Sequence, residues 1–227
     1  MKYIIIGLGN FGSSLGSMLT DLGHEVIGVD SDFHKVDTYK DQITSTICID
    51  CTDEHALEML PLNSADMIVV CIGEDFGSSV MITALLKQKK VKRLISRAFS
   101  PLHESVFVSL GVTEILHPEQ DAAEKLVKRI TAPDVIDSWQ IGQEHSIVEI
   151  IAPKRYIGNT VVELDLRRRF EIQLISIVKR RTPEKSIHEP YNPGHASDFV
   201  YPGTKIEEND VLIVFGHKSN LKKFMGL

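Results

Sequence analysis

Four short runs in the first half of the chain, KYIIIG, EVIGVD, MIVVCI and RLIS, are apolar almost without interruption. A strand with one face in water alternates apolar and polar residues. A strand that does not alternate is buried on both faces, so helices must cover a parallel sheet above and below. TICI, between the second and third of these runs, and TEIL, after the last, read as two further strands. Residues 10–22, 34–42, 53–60, 77–89, 101–110 and 121–130 show helical spacing between them. Strand–helix alternation of this kind predicts a doubly wound α/β domain with a parallel Rossmann sheet over residues 1–132.

Beyond residue 130 the rhythm changes. TAPDVIDS reads as a linker, taken as residues 133–140, with Pro133 ending the preceding helix. HSIVEIIA then alternates as a half-buried strand, residues 161–170 read as one short amphipathic helix, and QLISIVK as another strand. The polar stretch 180–203, containing Pro and Gly, reads as loop, and VLIVFG and KSNLKKF as a last strand and a terminal helix. This predicts a second, smaller α+β domain over residues 141–227. Repeats and low-complexity tracts are not evident.

The strand between these signals carries a specific turn. GLGNFG places Gly7, Gly9 and Gly12 in a G-x-G-x-x-G pattern directly after KYIII and before a small-residue helix. Gly7 permits the tight exit from the strand, Gly9 lets the backbone approach a diphosphate, and Gly12 lets the helix pack closely on the sheet. Free N–H groups and the positive end of the helix dipole would hold the phosphates. Asp30 ends the second strand, where a carboxylate accepts hydrogen bonds from ribose hydroxyls and repels a 2′-phosphate. NADP is thereby disfavoured, while NAD, ADP and ATP all offer a free ribose and a diphosphate. The alternative is a sheet of the same architecture whose glycines serve packing alone.

With 227 residues, 43% hydrophobic and 25% charged, the chain is long enough to bury one large or two modest cores. A net charge of −6 argues against non-specific nucleic-acid binding, which needs a basic surface to displace counterions. Apolar runs stay far short of the ~20 residues that cross a bilayer. Met1 leads directly into a strand and not into a signal core, and three cysteines make no disulfide framework, so an intracellular, reducing setting is expected.

Catalytic patterns are poorly supported. Tyr201 and Lys205 match Y-x-x-x-K, but Pro202 and Gly203 between them break the helix that such a proton relay needs. Ser14 lies in a literal G-x-S-x-G, yet the strand-to-helix turn is already taken by residues 7–12. Cys48 and Cys51 form C-x-x-C with His55 four residues on, which reads as buried strand-end cysteines, a redox pair or a zinc corner lacking its second half. The basic run from Arg167 to Arg169 reads as a solvated helix face or a partner contact. A nucleotide site without evident chemistry points to sensing. The rivals are an NAD-dependent oxidoreductase with its substrate site in the small domain, and a redox sensor built on Cys48 and Cys51.

GLGNFGSSL, HEVIGVDSD, ICIDCTDEHAL, VVCIGE, LISRA and ILHPEQDAAEKL follow one another in an order that resembles the cytoplasmic regulatory subunits of Trk/Ktr-type potassium uptake systems, the RCK domain proteins. The closing NDVLIVFGHKSNLKKF resembles their smaller second domain. The resemblance implies a regulatory protein and not an enzyme, a homodimer assembled into a ring, an octamer, that docks on the inner face of the membrane against a potassium transporter or channel. Its implied ligands are ATP, ADP or NAD/NADH. It further implies that Gly7, Gly9, Asn10, Phe11 and Gly12 make the phosphate turn and that Asp30 holds the ribose. Asp50 and Cys51 would lie beside the adenine, Ile72 and Gly73 would line the pocket, and Arg97 would approach the phosphates. Glu119 matches a position that binds a divalent cation at a dimer interface in some members; its alternative role is a charge favouring a helix N-terminus. Asn10 departs from members that carry arginine there, which weakens any contact to a γ-phosphate.

Overall fold

The computed structural model describes residues 1–132, 134–179, 195–196 and 199–226. The chain divides into two compact units, Met1–Ala122 and Ala123–Leu227.

In the first unit the uninterrupted apolar runs become parallel strands: β1 (Lys2–Ile6), β2 (Glu25–Asp30), β3 (Ser45–Cys48), β4 (Met67–Val70), β5 (Leu94–Arg97) and β6 (Glu114–Leu116). Their order in the sheet is β3-β2-β1-β4-β5-β6, all parallel, with β1 between β2 and β4. The chain therefore leaves β1 at the point where the strand order reverses, the position at which open α/β sheets form a crevice outside the carboxyl ends of their strands. Ile4, Ile5 and Ile6 are almost wholly buried because β1 lies at the centre with helices on both faces. Ile4 and Ile6 join one apolar cluster and Ile5 the other, as a strand covered on both faces requires.

Six helices complete the unit: α1 (Asn10–Asp21), α2 (Phe33–Tyr39), α3 (Glu54–Glu58), α4 (Phe76–Gln88), α5 (Pro101–Ser109) and α6 (Pro118–Thr131), the last running on into the second unit. The sixth begins three residues earlier than its apolar spacing suggests, because Pro118 suits the first helical turn, where its missing N–H costs nothing.

The second unit is an antiparallel sheet with the order β10-β9-β11-β8-β7. Its strands are β7 (Val135–Ile141), β8 (His145–Ile151), β9 (Gln173–Lys179), β10 (His195–Ala196) and β11 (Val211–His217). Two short helices, α7 (Val161–Leu164) and α8 (Leu166–Phe170), and the terminal α9 (Lys218–Met225) cover a core that includes Ile150, Leu164, Ile172, Leu212 and Phe224.

Two sequence expectations are corrected here. Most of the expected linker 133–140 is strand: β7 pairs antiparallel with β8 through Trp139↔Ile147 and Ile141↔His145. VIDSWQI sits at the edge of the sheet and is mostly half-buried or exposed, so its apolar signal is weak. The expected helix 161–170 is two helices, because Asp165 takes a left-handed conformation with φ +43°. A short polar side chain is among the few that tolerate that backbone. Pro133 and most of the expected loop 180–203 lie outside the described residues.

Candidate functional site

The helix N-termini of the first unit differ in how their free N–H groups are satisfied. Asp32, Asp53, Asp75 and Ser100 cap α2, α3, α4 and α5, each accepting a backbone N–H with its side chain. The cap of α1 is Gly9, which has no side chain to offer. The first helical bond there runs from Ser13 N–H to Gly9 C=O at 2.9 Å. Among the described residues, the N–H groups of Gly9, Asn10, Phe11 and Gly12 have no acceptor. Four consecutive donors at a helix start, with the dipole behind them, form an anion-binding end.

The glycines around this end are there for different reasons. Gly7 leaves β1 with φ +98° and donates its N–H to Val29 C=O at 2.7 Å, which fastens the turn to β2. A Cβ on Gly12 would stand 1.9 Å from the Gly7 carbonyl oxygen, so only glycine lets α1 cross the turn so closely. A Cβ on Gly9 would meet nothing within 4 Å. That opening lies beside the four donors and is where an anion can approach.

Asp30, at the end of β2, braces the turn. Its Oδ2 accepts Leu8 N–H at 2.7 Å and its Oδ1 accepts Asp32 N–H at 2.9 Å. A carboxylate oxygen accepts more than one hydrogen bond, so both oxygens keep capacity for ribose hydroxyls. Lys35 stands 3.8 Å from Oδ2, a pairing that sequence reasoning missed and that its exposure keeps weak. Ile49 N–H donates to Asp30 C=O at 3.1 Å, which brings the end of β3 alongside. Asp50 there accepts both the N–H and the hydroxyl of Thr52, and these bonds hold its carboxyl below the usual range. Cys51 is buried, and burial followed by the charges of Asp50 and Asp30 pushes its thiol up to about 12.

On the other side of β1, Ile72 packs against Gly7, whose Cβ would meet Ile72 Cγ1 at 3.0 Å. Gly73 makes room for an arginine: a Cβ there would stand 2.7 Å from Arg97 Nη1. Arg97 ends β5. Its guanidinium lies 5.7 Å from the centre of the Phe11 ring, donates from Nη1 to Cys71 C=O at 3.4 Å, and pairs through Nη2 with Glu119 in the first turn of α6. Its Nε is buried without a partner.

The residues that the resemblance assigns to the nucleotide thus lie at or just after the carboxyl end of a strand: Gly7, Gly9, Asn10, Phe11 and Gly12 after β1, Asp30 on β2, and Asp50 and Cys51 after β3. Ile72 and Gly73 follow β4, Arg97 ends β5, and Glu119 follows β6. The Arg97–Glu119 pair was not foreseen, since the two were assigned separately to phosphate and cation. Among the described residues no three His, Cys, Asp or Glu side chains converge as a metal site.

The other patterns resolve as local structure. Ser14 donates its hydroxyl to Asn10 C=O within α1. Tyr201 C=O accepts Thr204 N–H in a turn, so Tyr201 and Lys205 do not share a helix. Cys48 is exposed and Cys51 buried, both as free thiols. Arg167, Arg168 and Arg169 are exposed on α8, with Arg169 stacked over Phe170 at 5.4 Å.

A family model described as the TrkA-N domain matches residues 3–118. The chain belongs to the TrkA-N family. The residues of the turn and cleft, Gly7 to Arg97, lie inside this TrkA-N region, and Glu119 stands one position beyond it. Over its whole length the chain is similar to Ktr system potassium uptake protein C of Bacillus subtilis, 32% identical over 223 residues, which cover 98% of this chain and 95% of that one. Ktr system potassium uptake protein A of the same organism is 27% identical over 226 residues, 98% of this chain and 95% of that one.

Among solved structures, the GsuK RCK domain shares the fold with a TM-score of 0.63 at 15% identity; the match covers all of this chain and 48% of that one, so the chain spans about half its length. The NAD(P)-binding domain of an exopolyphosphatase-related protein from Archaeoglobus fulgidus matches with a TM-score of 0.51 at 25% identity, over 57% of this chain and 96% of that one.

Proposed function

We propose that this chain is a nucleotide-sensing regulatory subunit that gates a membrane potassium transporter or channel. The observation that carries the reading is the uncapped start of α1. Four free N–H donors there face the opening over Gly9, beside a carboxylate at the end of β2. This arrangement suits an adenosine diphosphate moiety, with phosphates at the helix end and ribose at Asp30. NAD/NADH and ADP/ATP carry that moiety, and the Asp30 charge disfavours NADP. The likeness to an NAD(P)-binding domain supports the ligand class, and the two Ktr potassium uptake relatives support the transported ion.

The first unit, Met1–Ala122, takes the ligand, and the second, Ala123–Leu227, transmits its presence. The ligand is bound and released without reaction. The chain works as a homodimer built into a ring, an octamer, on the cytoplasmic face of the membrane. Self-association is supported by α6, which exposes Leu126, Val127 and Ile130 along one side. No helix among the described residues is long and apolar enough to cross a membrane. Glu119 needs no cation in this scheme, because Arg97 supplies the opposing charge.

Titration calorimetry of the purified chain with ADP, ATP, NAD, NADH and NADP tests the reading. Saturable heat for the first four, weak heat for NADP, and recovery of every nucleotide unchanged are expected. Absence of heat from all five, or recovery of a chemically altered nucleotide, refutes it.

A further inference from the structure

We propose that Arg97 is an exchangeable cation that reports phosphate charge in the cleft to α6. The inference rests on the nucleotide-binding reading above. Arg97 touches the end of β4 through Cys71, the start of α1 through the Phe11 ring, and the start of α6 through Glu119. Its side chain is only 16% exposed and its seat depends on the missing Cβ of Gly73. The guanidinium is therefore confined close to the turn and has few places to go.

Two anions then compete for one partly enclosed cation. Phe11 contributes a free N–H to the anion-binding end and also carries Arg97 on its ring, so phosphates drawn to that end enter the field of the guanidinium. The unpartnered Nε and the long 3.4 Å bond to Cys71 leave the group with donor capacity to spend. Glu119 is the weaker holder, since its side chain is 61% exposed and water readily takes over its solvation. A dianionic or trianionic phosphate group offers more charge and a matching bidentate geometry. As it engages Arg97, the carboxylate at the first turn of α6 is released. That helix runs from the first unit into the second, so the exchange alters an element that belongs to both. A ligand lacking phosphate has nothing to offer Arg97 and leaves the pair closed. Glu119 therefore acts as a built-in competitor that sets how tightly phosphate binds.

The test uses the full chain, with ADP and adenosine as probes in calorimetry. Glu119→Gln removes the competing charge from an exposed position. We expect it to bind ADP about three- to tenfold more tightly and adenosine no differently, the size of one partly exposed charge pair. In the unaltered protein, ADP should speed hydrogen exchange of the first-turn amide of Asp121, bonded to His117 C=O at 3.0 Å, and adenosine should not. If the unaltered protein binds ADP but Glu119→Gln binds it equally or less well, the proposal is overturned and the nucleotide site stands. Equal tightening for adenosine, or an Asp121 amide indifferent to ADP, overturns it as well. If the unaltered protein binds no adenine nucleotide, the functional reading itself fails and this inference falls with it.

Discussion

Replacing Gly9 with alanine separates the ligand-binding role proposed for the glycine turn from its structural role. The backbone at Gly9, φ −70° and ψ −174°, is extended and open to any residue, and its Cβ would meet nothing within 4 Å. Alanine is a poor helix cap, but it replaces another residue with no capping side chain, so the cost is under about 1 kcal/mol. For a chain of this size that lowers the melting temperature by about 2–4 °C. The methyl group does intrude on the approach to the four N–H donors. Loss of one charge-assisted hydrogen bond at about 1.5–3 kcal/mol lowers affinity roughly tenfold to a hundredfold. Gly12→Ala is the contrast. Its Cβ would stand 1.9 Å from a backbone oxygen, far inside the 3.4 Å at which ordinary contact begins. The turn must move, at the ~1–3 kcal/mol typical of overpacking, and the melting temperature falls further. Scanning fluorimetry and calorimetry with ADP on both variants decide the matter. Gly9→Ala protein that melts near the parent temperature yet binds ADP within twofold of it would refute the assignment of the α1 start to phosphate.

Three further outcomes follow from other parts of the molecule. Asp30→Asn cannot accept from Leu8 and Asp32 with two charged oxygens, so calorimetry should show NAD or ADP binding weakened about tenfold and the preference over NADP reduced. Alkylation at neutral pH, followed by mass spectrometry of the native protein, should label exposed Cys48 well before Cys51 or Cys71, whose buried thiols are each pushed up to about 12. His103 is fully buried among Phe76, Phe99 and Phe107 with neither ring nitrogen bonded, and burial lowers its pKa. The unfolded chain then takes up the proton first, so stability is full above about pH 6.5 and declines as the pH falls towards the lowered value. His103→Leu should remove that part of the slope in denaturation midpoints measured from pH 8 to 5, without lowering the midpoint at pH 8.

The central strands were readable because burial on both faces leaves no alternation: KYIII and MIVV can only be interior strands, and their spacing forces helices between them. The turn was readable because Gly7 and Gly12 answer separate steric demands, the left-handed exit from β1 and the close crossing of α1, while Gly9 leaves the approach open. VIDSWQI escaped notice because an edge strand shares its burial unevenly, and Asp165 broke a plausible helix through a local backbone state that apolar spacing does not record. At the candidate site, the position of each residue at a strand end was legible and their pairing was not. Arg97 and Glu119 are 22 positions apart and meet only because β5 and β6 are neighbours in the sheet. The one local trace of that meeting is Gly73, whose missing side chain reads as part of a pocket wall until the guanidinium is seen lying against it.

The size of the Arg97 exchange also bears on assembly. A switch that carries a protein from 1:99 to 99:1 between two arrangements needs about a 10⁴-fold difference in affinity for them. One exposed carboxylate changing partners supplies roughly three- to tenfold. A single copy of this site therefore biases an equilibrium and cannot throw it. Copies locked into a common conformation multiply their preferences, and about four sites at tenfold each reach the required ratio. On this arithmetic the proposed ring is a condition of gating and more than a means of docking. A variant held monomeric by charges introduced at Val127 and Ile130 should bind ADP with undiminished affinity and leave ion flux through its partner unresponsive.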